Sequence, residues 1–229
     1  MSSQPDTTIA PGLTRAFLLG FPATVLKDEG EAAARVVRYD LPAGPVVLKE
    51  WEPSRSRALR IWARWLMRRE IRHYRALDGC QGIPRFLGSE GDGALIVQFV
   101  EAQPMARSLA RPLLHAGLDD LERVIAALHA RRFVHLDLHQ KLNTLIDAQG
   151  HAWLIDLGQG IDCSRGLWRL LFPPLAPIDR RAVLKFRARY APETIDPASR
   201  DRIVARYGAR RDWWPKRIGR ALRRAVTRE

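Results

Sequence analysis

Cysteine is almost absent: Cys80 and Cys163 are the only two in 229 residues, and no CxxC pair occurs. A disulfide scaffold and a cysteine-based zinc site are therefore excluded. No run of about 18 apolar residues exists, so no bilayer-spanning helix is expected. The opening stretch, MSSQPDTTIAPG, lacks the basic and apolar regions of a secretion signal. Acidic residues are in deficit, with 25 Asp and Glu against 38 Lys and Arg, for a net charge of +13. That balance calls for an anionic partner, whether nucleotide phosphates, an acidic glycolipid, a membrane surface or nucleic acid. The expected location is the cytoplasm, with at most a peripheral contact on the inner membrane. What is present is apolar content, 46% of the chain, enough to build a core in one domain or two small lobes.

Residues 1–12 carry Ser, Thr, Gln and proline without period and read as a disordered lead. Ala33–Tyr39 and Val46–Trp51 read as an antiparallel strand pair joined through Leu41–Pro45. A helix is expected from about Ser56 to Leu77, ended by the Gly79–Pro84 stretch. It interleaves Arg55, Arg57, Arg60, Arg64, Arg68 and Arg69 with Leu59, Ile61, Trp62, Trp65 and Leu66. A solvated basic face over a packed apolar one and a surface for anionic lipid are both open readings of that pattern. Arg85–Gly88 begins a strand, and Ala94–Val100 has the composition of a buried one. Leu118–Ala130 shows the amphipathic helical period, and Asp179–Arg189 reads as a basic helix. In the tail Asp212–Arg224, Trp213 and Trp214 precede a further basic helix, open to core packing or to an interfacial contact.

The stretch from Phe133 to Gly160, FVHLDLHQKLNTLIDAQGHAWLIDLGQG, sets Asp137, Asn143 and Asp156 between short apolar runs. Such runs suit short buried strands that expose polar residues at their ends. Lys49 lies within the strand-like Val47-Leu48-Lys49, and Glu70 lies twenty-one residues on, in the expected helix.

In this order the residues resemble the catalytic core of the protein-kinase-like phosphotransferases, with His135-Leu136-Asp137 in the place of HRD and Asp156-Leu157-Gly158 in the place of DFG. The resemblance implies an α+β, two-lobe fold: a small antiparallel sheet with one helix, then a reduced, mostly helical lobe. It places the nucleotide-binding lobe at 13–102 and the catalytic lobe at 103–229. It implies Asp137 as the catalytic base, Asn143 and Asp156 as metal ligands, and ATP with Mg2+ as the cofactors. Lys49 would hold the phosphates, Glu70 would hold Lys49, and Glu101 and its neighbours would meet adenine. His139 and Lys141 are candidate phosphate contacts, and Asp179 is the candidate brace of the catalytic loop.

The loop departs from the family pattern: Asn143 follows Asp137 by six, one more than the usual spacing. No GxGxxG precedes Lys49, so a different loop, around Asp28–Glu31, is expected to cover the nucleotide. Ala191-Pro192-Glu193 copies the APE string but lies beyond a helix, with Pro192 expected only to end that helix. His139 in HxDxH resembles the aminoglycoside and choline kinase relatives and points to a non-protein acceptor. The short chain and basic tryptophan-rich helices resemble the small bacterial lipopolysaccharide core kinases acting on Kdo or heptose. The expected partners are ATP and an anionic glycolipid, with a protein acceptor, as for an atypical Ser/Thr kinase, as the alternative. A pseudokinase binding module is a further alternative, and no recognised motif supports nucleic acid.

Overall fold

The computed structural model describes residues 9, 11–28, 34–51, 56–138 and 141–198, apart from the side chain of Lys141. The first part is a five-stranded antiparallel sheet in the order β1-β2-β3-β5-β4. Its strands are β1 (Ala23–Lys27), β2 (Arg35–Leu41), β3 (Gly44–Glu50), β4 (Phe86–Glu90) and β5 (Ala94–Gln98). The β2–β3 hairpin turns through Pro42 and Ala43 and closes on Gly44, whose φ of 125° is open to glycine at no steric cost.

Side-chain alternation along β3 decides what each face of this sheet does. Val46 and Leu48 are fully buried with Val37, Tyr39, Leu87 and Ile96, under the short helix α1 (Arg15–Leu18). Val47 points the other way, against the larger core that includes helix α2 (Arg57–Ala76), and Lys49 shares its face. Ser56 caps α2, its hydroxyl accepting from the Leu59 amide. Ala63, Met67, Glu70, Ile71 and Tyr74 form the buried stripe of α2, with Glu70 set among apolar side chains.

After β6 (Ala102–Pro104) come helix α3 (Arg111–Ala130), β7 (Phe133–Val134), β8 (Thr144–Asp147), β9 (Ala152–Leu154), β10 (Ile161–Asp162) and helix α4 (Phe172–Tyr190). β6, β8 and β9 make one small antiparallel sheet and β7 and β10 another. Leu114, Leu118, Leu121, Val124, Ile125 and Leu128 of α3 pack with Val183, Phe186 and Tyr190 of α4 in the main core. Asp120 is buried in α3 and accepts from the Ala152 amide at 2.8 Å, fixing the helix to β9.

Two helices start earlier than their periodicity suggests, α3 at Arg111 rather than Leu118 and α4 at Phe172 rather than Asp179. Pro112, Pro173 and Pro174 look like breakers in the sequence. In the first turn of a helix, however, an amide proton is not needed and the fixed φ is an advantage. Helix α4 ends at Tyr190, and Pro192 opens a separate short turn. Cys80 and Cys163 are buried free thiols. No helix among the described residues is long and apolar enough to cross a membrane. The antiparallel sheet with its single long helix, followed by a mostly helical part, is the α+β arrangement expected from the sequence.

Candidate active site

The site lies where the inner face of β3, the middle of α2 and the ends of β8 and β9 meet. Lys49 Nζ donates to Glu70 Oε1 at 2.8 Å and to Asp156 Oδ1 at 3.1 Å. One ammonium therefore serves two carboxylates. Burial opposes the charge of Lys49, but the two carboxylates outweigh it and raise the lysine above its ordinary value. Glu70 is raised because burial disfavours its charge, Lys49 only partly compensates, and Asp156 adds a second negative charge. Burial pushes Asp156 upward as well, yet Lys49, with help from Lys27, holds it below the usual carboxylate range.

Asp156 takes a left-handed conformation, φ 61°, at the start of the 3-10 turn Leu157–Gln159. A non-glycine residue there is strained and must be held from outside. Three residues of α2 hold it. Tyr74 is buried beside the Asp156 backbone, and Arg69 donates to the Gly160 carbonyl at 2.7 Å. His73 Nδ1 lies 2.8 Å from the Leu157 carbonyl. Because a carbonyl only accepts, Nδ1 must carry the proton. Burial, together with Arg69 and Arg72 nearby, lowers His73 to about 4, so the ring is neutral near pH 7.

The loop after β7 supplies Asp137. Leu136 before it is also left-handed, φ 64°, and is pinned from α4: Asp179 Oδ2 accepts from the His135 amide at 2.8 Å and Oδ1 from the Leu136 amide at 2.9 Å. Asp179 is fully buried and also meets His129 Nε2 at 3.2 Å. The expected brace is thus present, and His129 is a packed partner of it. The His135 ring is buried, with Nε2 3.3 Å from the Ile155 carbonyl and Nδ1 accepting from the Asp137 amide. Burial lowers its pKa, consistent with this neutral tautomer.

Asn143 Nδ2 donates to the Asp137 carbonyl at 3.1 Å and to Asp137 Oδ2 at 3.3 Å. The Asn143 carbonyl accepts from the Ile155 amide at 3.0 Å, which extends the β8–β9 ladder to the residue before Asp156. Asp137, Asn143 and Asp156 are thereby brought together by backbone pairing, in spite of the extra loop residue. No cluster of three or more His, Cys, Asp or Glu suited to a metal occurs among the described residues. Asn143 and Asp156 instead offer one amide and one carboxylate, oxygen donors of the type that suits a hard cation such as Mg2+ that keeps water or phosphate in its other positions.

Glu101 is exposed in the link between β5 and β6. His139, the side chain of Lys141, most of the stretch Asp28–Glu31, and the tail with Trp213 and Trp214 lie outside the described residues. Arg69, His73 and Tyr74 have structural roles that the sequence reading did not assign. Their spacing of minus one, plus three and plus four from Glu70, on the same helix face, is the signal available in the sequence. Arg69 in particular belongs to this site and not to the solvated basic face of α2.

No protein-family profile matches the chain, and no curated protein matches it. Among solved structures it is similar to the Rio2 kinase of Chaetomium thermophilum, determined as an ADP/Mg2+-phosphoaspartate complex. The TM-score is 0.53 at 18% sequence identity, and the match covers 74% of this chain. The chain spans 55% of the length of that kinase. Likeness at this identity speaks for architecture alone, and the architecture is a protein-kinase-like fold.

Proposed function

We propose that the protein is an ATP- and Mg2+-dependent phosphotransferase acting on a hydroxyl, with the sugar of an anionic glycolipid of the lipopolysaccharide core kind as its acceptor. The observation that carries the phosphotransferase reading is the Lys49–Glu70 pair at 2.8 Å with Asp156 beside it. A buried strand lysine held by a helix glutamate is how kinases fix nucleotide phosphates. In this reading the chain divides near Ala102 into a nucleotide-binding and a catalytic lobe, with Glu101 in the link.

Asp137 accepts the proton of the acceptor hydroxyl while its oxygen bonds to the γ-phosphorus of ATP; the bond to the bridging oxygen breaks, giving a phosphomonoester and ADP. Asn143 orients Asp137 through its two hydrogen bonds. Lys49 neutralises phosphate charge that would otherwise build up on the leaving group. Asn143 and Asp156 would hold Mg2+, which supplies charge neutralisation of the phosphates. The net charge of +13 and the HxDxH loop support the glycolipid acceptor.

The test is transfer of labelled γ-phosphate from Mg-ATP to a bacterial envelope extract, separated into glycolipid and protein, with Asp137→Asn as control. Label in glycolipid that vanishes in the variant is expected. Label in protein would replace this acceptor with that of an atypical Ser/Thr kinase. Nucleotide binding without label in either fraction would sink the phosphotransferase reading in favour of a pseudokinase.

A further inference from the structure

The segment Arg165–Leu171 is exposed at every position, and no residue of its 3-10 turn, Gly166–Leu171, is buried. Yet it carries Leu167 at 83% exposure, Trp168 at 57%, Leu170 at 72% and Leu171 at 39%. Four large apolar side chains in one turn are unfavourable in water in proportion to their area, and a contiguous patch of this kind marks a contact surface.

The turn is firmly joined to the catalytic loop. It runs into Phe172, which packs edge-on against His129 at 5.5 Å and lies under Arg132. Seven residues on, Asp179 of the same helix clamps the loop amides of His135 and Leu136. An open cavity of about 580 Å³ adjoins Phe172, lined by Ile125, Ala126, Val183 and Leu184 with Arg180 and the Arg187-paired Glu122 among them.

Charge selects the occupant. From Arg165 to Tyr190 the chain holds six arginines and one lysine but a single acid, Asp179, which is buried and engaged with the loop. Arg187 is paired with Asp119 and Glu122, whereas Arg165, Arg169, Arg180 and Arg181 make no ion pair among the described residues. A second copy would bring another +13 against this face. Apolar side chains with tryptophan among arginines fit the interfacial layer of an anionic bilayer, where indole sits at headgroup level and arginine meets lipid phosphate.

We propose that the turn Gly166–Leu171 docks the protein on an anionic membrane surface, with Leu167, Trp168 and Leu170 entering the interface. Its consequence for the acceptor rests on the phosphotransferase reading: the catalytic loop, rigidly tied to the docking turn, receives a hydroxyl presented at the bilayer surface.

The test is flotation of the full chain with vesicles of phosphatidylcholine and phosphatidylglycerol, compared with phosphatidylcholine alone. Wild type is expected to float with the anionic vesicles, and Leu167→Ser/Trp168→Ser/Leu170→Ser to lose about tenfold or more of that partition. Arg165→Glu/Arg169→Glu tests the same surface independently and is expected to show a similar loss. Both variants should bind a fluorescent ATP analogue as wild type does. Wild type that fails to float, or variants that float equally well, would overturn the proposal. So would a wild-type dimer in sedimentation that the serine variant abolishes, since the turn would then bind a second copy. Failure of wild type to bind nucleotide would count against the phosphotransferase reading alone, because flotation is read without ATP.

Discussion

Lys49 meets Glu70 and Asp156 with one positive charge for two negative ones, so removing it should expose what each carboxylate requires. Lys49→Met leaves Glu70, 5% exposed, with no counter-charge. Breaking a buried pair in this way costs about 3 kcal/mol or more, read as a lower urea midpoint at pH 7. The sign of the pH dependence follows from linkage. Glu70 is already raised, and without the lysine it rises further, so the folded variant binds more protons than the unfolded chain. Its stability relative to wild type should therefore recover as pH falls from 7 toward 5. A parallel pH profile for the two proteins would show that the pair is not what holds Glu70. On the phosphotransferase reading, Asp137→Asn is a cleaner removal of the proposed base: the side chain keeps its shape and its neighbour Asn143 but can no longer take a proton. Turnover should fall by about 10²–10⁴-fold with nucleotide affinity within a factor of about two. The placing of Lys49, Asp137 and Asp156 side by side was legible because each sits in a short string, Val47-Leu48-Lys49, His135-Leu136-Asp137 or Asp156-Leu157-Gly158, that resembles a kinase motif, whereas Glu70 and Asn143 had only their spacing from those strings.

At the scale of elements, α2 both positions Glu70 and holds the Asp-Leu-Gly turn through Arg69, His73 and Tyr74. That second role was hidden in the sequence because its partners are mainly backbone groups, 84 to 91 residues away, and a carbonyl has no residue type to recognise. Helix starts were obscured for a different reason. In α3, Pro112 and Gly117 interrupt the apolar pattern, yet Pro112 suits the first turn. Gly117 lets α3 approach β8 closely, since a Cβ there would stand 2.6 Å from Ile146 Cδ1 and make that side chain move. The holding role of α2 gives a titration prediction. His73 is lowered to about 4 in the folded protein against 6.5 ordinarily, so below pH 6.5 the unfolded chain binds more protons and stability falls as pH drops toward 4. The gap corresponds to about 3 kcal/mol across that window. His73→Asn retains a side-chain N–H for the Leu157 carbonyl while removing the titration. Its loss of stability between pH 6.5 and 4 should be smaller than that of wild type by about this amount, measured by urea unfolding at each pH. Equal slopes would mean that the ring is not buried neutral.

Across the whole molecule, the candidate site is assembled from parts that share little chain. Lys49 comes from the five-stranded sheet, while Asp137, Asn143 and Asp156 come from loops and ladder ends more than eighty residues later. A ligand that contacts both sets stabilises the assembled form only, and does so by mass action. Mg-ATP at about 100 times its dissociation constant should add about 2.7 kcal/mol. For a chain of this size that is a rise in melting temperature of about 5–10 °C. Because a net charge of +13 lets any polyanion stabilise the protein, the measurement belongs at about 0.15 M salt or above, where long-range attraction is screened. Tripolyphosphate serves as the comparison. Site binding predicts that Mg-ATP exceeds tripolyphosphate, that chelating the magnesium reduces the shift, and that Asp156→Asn removes most of what remains of the difference. Equal shifts from Mg-ATP and tripolyphosphate, unaffected by Asp156→Asn, would reduce the effect to surface charge and leave the Lys49–Glu70–Asp156 cluster as a structural feature of the fold without a nucleotide to hold.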